Sequence, residues 1–290
     1  MRVRVLGSAA GGGYPQWNCR CRVCDAARAG ERAVPRTQSS LAVRGGDGPW
    51  FLVNASPDLR QQIETLGAPA AGVRAPPVAG VVLTDAEIDH TAGLLLMRES
   101  ATPIRVFGAA GVGRALREGY PVLTMLERYC GAEWQTLEPG PLDGSSLEVE
   151  PFPAGGDAPR YLDGVELEAT GLVFRDSGGT VTYVPGLARL DEGVVARLAS
   201  SDVVLVDGTF WHDDDLARLG ISDRSARDMG HVPLAGPGGS LEVLAALERP
   251  RKILVHINNT NPILLEDSPE REAVVRAGVE VAYDGLEVVL

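Results

Sequence analysis

Residues 81–95, VVLTDAEIDHTAGLL, decide the fold. An apolar run, four potential metal ligands (Asp85, Glu87, Asp89 and His90) and the first residues of a helix follow one another without a spacer. A strand ending at Leu83 and a helix beginning near Thr91 project such a loop from the carboxyl end of a sheet, where α/β proteins build their sites. Asp89 and His90 are neighbours, so they converge on one ion only if the chain turns between strand and helix.

Two later segments end the same way. DVVLVDGTFW (202–211) delivers Asp207 straight after an apolar run, and RKILVHINNTNP (251–262) delivers His256 after another. The chain has four histidines, His90, His212, His231 and His256, and two of them close strands. With Asp89 and Asp207 these two make a candidate set of ligands for a catalytic metal. Asp85 and Glu87 are further candidates, either as ligands or as acid/base groups. His231 sits in RDMGHVPLAG, a glycine-flanked turn suited to holding an imidazole over a pocket as acid/base, or else simply a surface loop. His212, beside Asp213, Asp214 and Asp215, is expected to be exposed. PRTQSS (35–40) sets Arg36, Gln38, Ser39 and Ser40 before a strand, where they would either cap a loop or hold a substrate carboxylate. In NASPDLR (54–60), Ser56 before Pro57 reads as a helix cap.

NCRCRVCD (18–25) places Cys19, Cys21 and Cys24 as C-x-C-x-x-C, close enough to share one tetrahedral metal. Three thiolates leave little room for chemistry, so the expected role is structural, with a fourth ligand from elsewhere. Cys130 stands alone and reads as a plain structural residue. No P-loop occurs, and GSAAGGGYP (7–15) lacks the spacing of a dinucleotide fingerprint.

A length of 290 residues and a hydrophobic content of 44% suffice for one large core. The formal charge of −12, with acidic residues spread along the chain, argues against a nucleic-acid or anionic-membrane surface. No apolar run reaches the roughly 20 residues of a membrane span. The N-terminus has no basic region followed by an apolar one, so the expectation is a cytoplasmic protein. Short runs rich in Val, Ile and Phe predict strands over 2–6, 40–43, 50–53, 80–83, 104–106, 147–149, 171–174, 180–184, 202–206, 252–255, 279–282 and 286–290. Helical periods predict helices over 57–66, 90–98, 111–119, 187–199, 240–247 and 269–277. Loops are expected at 67–78 and 138–144. The sum is one α/β domain with two sheets, hairpin-like early and alternating strand and helix later.

Taken together, LGSAAGGGYPQWNCRCRVC, RTQSS, NASPDLR, IDHTAGLL, GTFW, RDMGH and HINNTNP resemble the metallo-β-lactamase superfamily, and within it the family acting in pyrroloquinoline quinone (PQQ) biosynthesis. The resemblance runs from end to end and implies a single domain over 1–290, a four-layer αββα sandwich (α/β, or α+β) with a cysteine-rich zinc loop near 18–25. Hydrolytic members carry H-x-H-x-D-H, a mid-chain histidine, a bridging Asp and a final His. Here the frame is D-x-E-x-D-H, the mid-chain stretch EPFPAGGDAP (150–159) has no histidine, and Asp207 and His256 match the last two positions. The expectation is therefore one catalytic metal, held by Asp89, His90, Asp207 and His256, with His231, Glu87 and Asp85 as helpers. Two histidines with carboxylates suit non-haem Fe(II). The family resemblance implies an oxygen-using hydroxylase acting on the tyrosine ring of a Glu-Tyr diamino acid cut from the PQQ precursor peptide. Its partners would be that precursor and O2, with no nucleic acid and no membrane, and a homodimer is allowed. A carrier or transport protein for PQQ, or a residual metallo-hydrolase, are the alternatives. Related phosphodiesterases close their structural Zn(II) site with a histidine three residues after the last active-site histidine. The corresponding residue here is Asn259. Arg36, Gln38 and Ser39 are the candidates for substrate binding.

Overall fold

In the computed structural model, residues 1–67, 75–162 and 165–290 are described; most of the loop expected over 67–78 lies outside them. In chain order the strands are β1 (Arg2–Gly7), β2 (Ser40–Arg44), β3 (Trp50–Val53), β4 (Val78–Val82), β5 (Ile104–Gly108), β6 (Ala132–Thr136) and β7 (Gly140–Pro141). There follow β8 (Glu148–Gly155), β9 (Ala169–Asp176), β10 (Gly179–Val184), β11 (Val203–Asp207), β12 (Arg251–Val255), β13 (Val279–Val281) and β14 (Glu287–Val289). Among the described residues they form two sheets, ordered β14-β1-β2-β3-β4-β5-β6 and β13-β12-β11-β10-β9-β8-β7. Each half pairs antiparallel hairpins with a parallel block: β3 to β6 in the first sheet, β10 to β13 in the second.

Strand alternation builds the layers. In β11, Val203 and Leu205 point between the sheets with Val3, Val53, Phe174 and Tyr183. Val204 and Val206 point outward, onto a layer with Val194, Leu198, Leu244 and Val274 from helices Glu192–Ser200, Ser240–Ala246 and Pro269–Arg276. The outer face of the first sheet packs Leu52, Val81 and Val106 against Leu59, Val112, Leu116 and Leu123 of the other helices. A strand with both faces apolar needs a covering layer on each side, and here the partner sheet supplies one and the helices the other. This is the αββα sandwich that the family resemblance implies.

Several boundaries differ from expectation. The helix expected over 187–199 begins at Glu192, because the Asp191 side chain caps it by accepting Val194 N at 2.9 Å. The segment before it is an irregular, bending stretch in which Leu187 is buried in the core. The helix expected over 90–98 is a single turn, Ile88–Thr91, that tightens into a 3-10 helix at Ala92–Glu99. Gly93 explains the close approach there, since a Cβ would lie 2.2 Å from the Ser56 carbonyl oxygen. Strand β6 and helices Arg22–Ala29, Val122–Leu126 and Asp215–Arg218 are additional. Part of the loop expected over 138–144 pairs as β7. The alternation of parallel strand and helix begins earlier than expected, at β3. No helix among the described residues is long and apolar enough to cross a membrane.

Candidate metal centre

The carboxyl ends of β11 and β12, neighbours in one sheet, lie near that of β4 in the other. Asp207 continues the inward alternation of Val203 and Leu205 and lies beside Val255 in the β11–β12 register, so His256 follows one residue beyond. His256 adopts a left-handed backbone, φ 54°, which turns its ring away from the strand direction. The loop after β4 is fixed by Asn54, whose amide Nδ2 donates to Thr84 Oγ1 at 3.0 Å while its Oδ1 accepts from Thr84 N at 3.0 Å.

Asp89, His90 and His256 form one donor set. Asp89 Oδ2 lies 3.7 Å from His90 Nε2 and 3.7 Å from His256 Nε2. Two atoms bound to one ion at roughly 2.1 Å stand about 3–4 Å apart, so the spacing fits. His90 Nε2 is fully buried and has no hydrogen-bond partner, an arrangement that is costly unless something binds there. Gly11 packs on Asp89, a Cβ at that position lying 3.1 Å from its Cγ, which gives the glycine loop a reason to be bare beside the centre. The donor set fits a metal ion.

Asp85 is directed elsewhere. Its two oxygens lie 2.8 and 2.7 Å from His90 Nδ1 and accept Thr84 Oγ1 and Glu87 N besides. It orients His90, as outer carboxylates orient metal-bound imidazoles. Burial would push the Asp85 carboxyl up, but the His90 imidazole beside it holds it below the usual range. Burial likewise works against the charged form of His90, and Asp85 and Asp89 more than offset it, raising the imidazole to about 9. Glu87 stands exposed at the cavity mouth; partial burial of its carboxyl and the charges of Asp85 and Asp89 push it up to about 7.

Asp207, expected as a ligand, belongs not to the Asp89 set but to a neighbouring group with His231 and His256, and both its oxygens are hydrogen-bonded within the protein. Its Oδ2 accepts His231 Nδ1 at 2.6 Å and Leu187 N at 2.9 Å, and its Oδ1 accepts Thr209 N at 2.9 Å and Thr209 Oγ1 at 2.6 Å. All its usual acceptor directions are taken by the protein. It serves to hold His231, whose ring stacks on His256 with centroids 5.4 Å apart. Asp207, His231 and His256 lie close enough to form a second donor set that shares His256. His231 thus stands in the site, not in a mere surface loop.

A cavity of about 240 Å³ opens over these groups, walled by Leu167, Phe210 and Met229 and floored by His90, His231 and His256. An adjoining hollow of about 400 Å³ shares Glu87, Asp157 and Met229 and adds Arg160, Tyr161 and Arg224. A larger hollow, about 630 Å³, lies at the amino ends of β3, β4 and β5 and contains none of these donors; chemistry places the site in the smaller one. Thr209, Phe210 and Met229 were not singled out from sequence, although Thr209 and Phe210 follow directly on Asp207.

Arg36, Gln38 and Ser39 do not line the cavity. Arg36 is buried beside Ser8 Oγ at 3.4 Å, Gln38 ties Gly12 N to Asp58, and Ser39 Oγ meets Tyr183 OH at 3.2 Å. They are internal fasteners, which corrects the expectation of substrate contact. His212 also lies off the cavity, its ring against Trp211.

Cys19, Cys21 and Cys24 converge, and Asn259 joins them, its Nδ2 3.2 Å from Cys24 Sγ. Cys21 also caps helix Arg22–Ala29, its sulfur accepting Cys24 N at 3.5 Å.

An αββα sandwich with donors at the edge between its sheets defines a β-lactamase superfamily protein, and the sequence model of the Beta-lactamase superfamily domain matches residues 49–257. Coenzyme PQQ synthesis protein B of Cupriavidus necator is 49% identical over 99% of both chains, and that of Methylococcus capsulatus 46% over 100% of both. The crystal structure of Zn(2+)-bound PqqB from Methylobacterium extorquens shares 40% identity and a TM-score of 0.91 over 100% of both chains. The chain belongs to the coenzyme PQQ synthesis protein B family. A diphosphatase of the PhnP family, at 19% identity and a TM-score of 0.71 over 100% of this chain and 97% of that one, shares the fold.

Proposed function

We propose that this chain is a mononuclear, Fe(II)-dependent hydroxylase of PQQ synthesis that adds oxygen to the tyrosine ring of a Glu-Tyr diamino acid cut from the precursor peptide. The observation that carries the reading is the Asp89, His90 and His256 set: two imidazoles and one carboxylate around an unpartnered, buried His90 Nε2. That composition is the facial triad of non-haem iron oxygenases. Bound there, Fe(II) supplies the capacity to activate O2. The overall change is Ar–H plus O2, two electrons and two protons from an external reductant, giving Ar–OH and water.

The protein's own groups do the rest. Asp85 fixes the His90 ring. Phe210, Leu167 and Met229 offer apolar walls to an aromatic substrate and limit water. His231, anchored through Nδ1 to Asp207, keeps Nε2 for the cavity and exchanges a proton with the substrate phenol. Glu87, at the mouth, is placed to pass protons to solvent. The thiolates of Cys19, Cys21 and Cys24, with Asn259, hold a structural Zn(II). The diamino acid and O2 are the partners, and the cytoplasm is the proposed compartment.

A second reading, a zinc hydrolase, is favoured by the Zn(2+)-bound relative and by the second donor set around His231. One experiment separates them. Anaerobically Fe(II)-loaded protein is given the diamino acid and then oxygen, with oxygen uptake and product mass followed. Iron-dependent gain of one oxygen atom, lost in His90→Ala, is expected. Zinc-dependent cleavage of a phosphodiester or peptide without oxygen uptake would overturn the hydroxylase.

A further inference from the structure

We propose that Thr209 is a positioning residue that sets the tautomer of His256 and thereby presents its Nε2 to the metal. This rests on the metal-centre reading above. Thr209 is buried in the bend after β11, and its Oγ1 has three polar neighbours: Asp207 Oδ1 at 2.6 Å, His256 Nδ1 at 2.8 Å and the His256 carbonyl oxygen at 2.8 Å. A hydroxyl owns one proton. The carboxylate and the carbonyl have none to give, so that proton is directed to them, chiefly to the ionised and nearer Asp207, the stronger acceptor. The ring nitrogen then faces a hydroxyl lone pair and must bring its own hydrogen: His256 Nδ1–H donates to Oγ1.

A neutral imidazole protonated on Nδ1 keeps its lone pair on Nε2. Nε2 is the atom 3.7 Å from Asp89 Oδ2. The opposite tautomer would set lone pair against lone pair in a buried contact and turn an N–H toward the metal position. The His256 carbonyl oxygen, 2.8 Å from the same hydroxyl, receives only a minor share of that one proton, so the hydrogen bond that ties His256 to Thr209 runs through the ring. Asp207, which takes the Thr209 proton on Oδ1, holds His231 on Oδ2, so a single Asp207–Thr209 unit sets two of the three rings around the cavity. The sequence hides this because nothing in D-G-T-F indicates that the threonine hydroxyl meets a residue 47 positions further along.

The test uses the full chain, the near-isosteric Thr209→Val, and Thr209→Ser, which keeps the hydroxyl. Long-range proton–nitrogen NMR of the metal-free protein, at a pH where His256 is neutral, reports which ring nitrogen carries hydrogen; zinc affinity is measured by chelator competition. Wild type and T209S should show the Nδ1–H form. T209V should lose it and bind zinc about 10–100-fold more weakly, with T209S within about threefold of wild type. An Nε2–H ring in the wild type overturns the proposal and needs no variant to fold. So does undiminished zinc binding by T209V, or an equal loss in T209S. Failure of wild type to bind metal at all would instead overturn the metal centre, while the NMR result still stands.

Discussion

A neutral imidazole hands only one nitrogen to a metal, so the group behind the ring decides which. Asp85 occupies that place for His90, with both oxygens within 2.8 Å of Nδ1. Asp85→Asn removes the charge and turns an amide N–H₂ against Thr84 Oγ1, the Glu87 amide or the ring. The expected result is zinc or Fe(II) affinity lower by about 10–100-fold with unchanged stoichiometry. Asp89→Ala, by contrast, should abolish stoichiometric binding, because it removes a donor of the set itself; the two variants titrated side by side with a competing chelator distinguish support from ligation. Asp89, His90 and His256 were legible in the sequence because each ends or follows an apolar run in a chain poor in histidine. The division of labour was not. Asp85 and Asp89 are both acidic and four residues apart, and only the turn of the Ile88–Thr91 helix sends one behind the ring and the other beside it. Asp207 likewise carries no sequence mark that its oxygens are spent on His231, Leu187 and Thr209.

At the scale of elements, the site is the shared end of parallel strands, and its precision depends on strands that cannot slip. In β11 a shift of one residue would exchange Leu205, between the sheets, for Val204 or Val206, and would point Asp207 outward. Leu205 is fully buried in the intersheet core. Leu205→Ala should therefore cost about 2–5 kcal/mol of folding stability, through lost burial and the cavity left behind. Denaturant melts with an unchanged slope would check this; a loss under about 1 kcal/mol would mean that β11 is not held by its inward face. Strands were read well from sequence because both faces of the sandwich are apolar, whereas helix starts were read less well. The run from Leu187 looks periodic, yet the helix does not begin until Asp191 caps it. Similarly, Arg36, Gln38 and Ser39 suggested a binding motif, but polar residues beside a glycine loop also serve to fasten that loop, and here they do.

Across the whole molecule, the cysteine cluster ties residues that are 235 positions apart, Cys24 and Asn259. Asn259 lies three residues beyond His256, and the stretch between is pinned to the N-terminal glycine loop, Ile257 N donating to Ser8 O and Ala10 N to Ile257 O. Metal held by Cys19, Cys21 and Cys24 would thus close the long way around the sandwich and brace the strand end that carries His256 of the candidate metal centre. An ion bound only by the folded state stabilises it by about 2.7 kcal/mol when its free concentration is a hundred times its Kd. At about 2–4 °C per kcal/mol for a domain approaching this size, zinc should raise Tm by roughly 5–10 °C. Cys24→Ser should lose that increment, whereas His90→Ala should keep most of it, because the thiolates do not touch the other centre. Calorimetry with and without a chelator on both variants measures this. If zinc shifts the melting of Cys24→Ser as far as that of wild type, the thiolates do not hold the stabilising ion, and the 257–259 stretch is braced by its backbone hydrogen bonds alone.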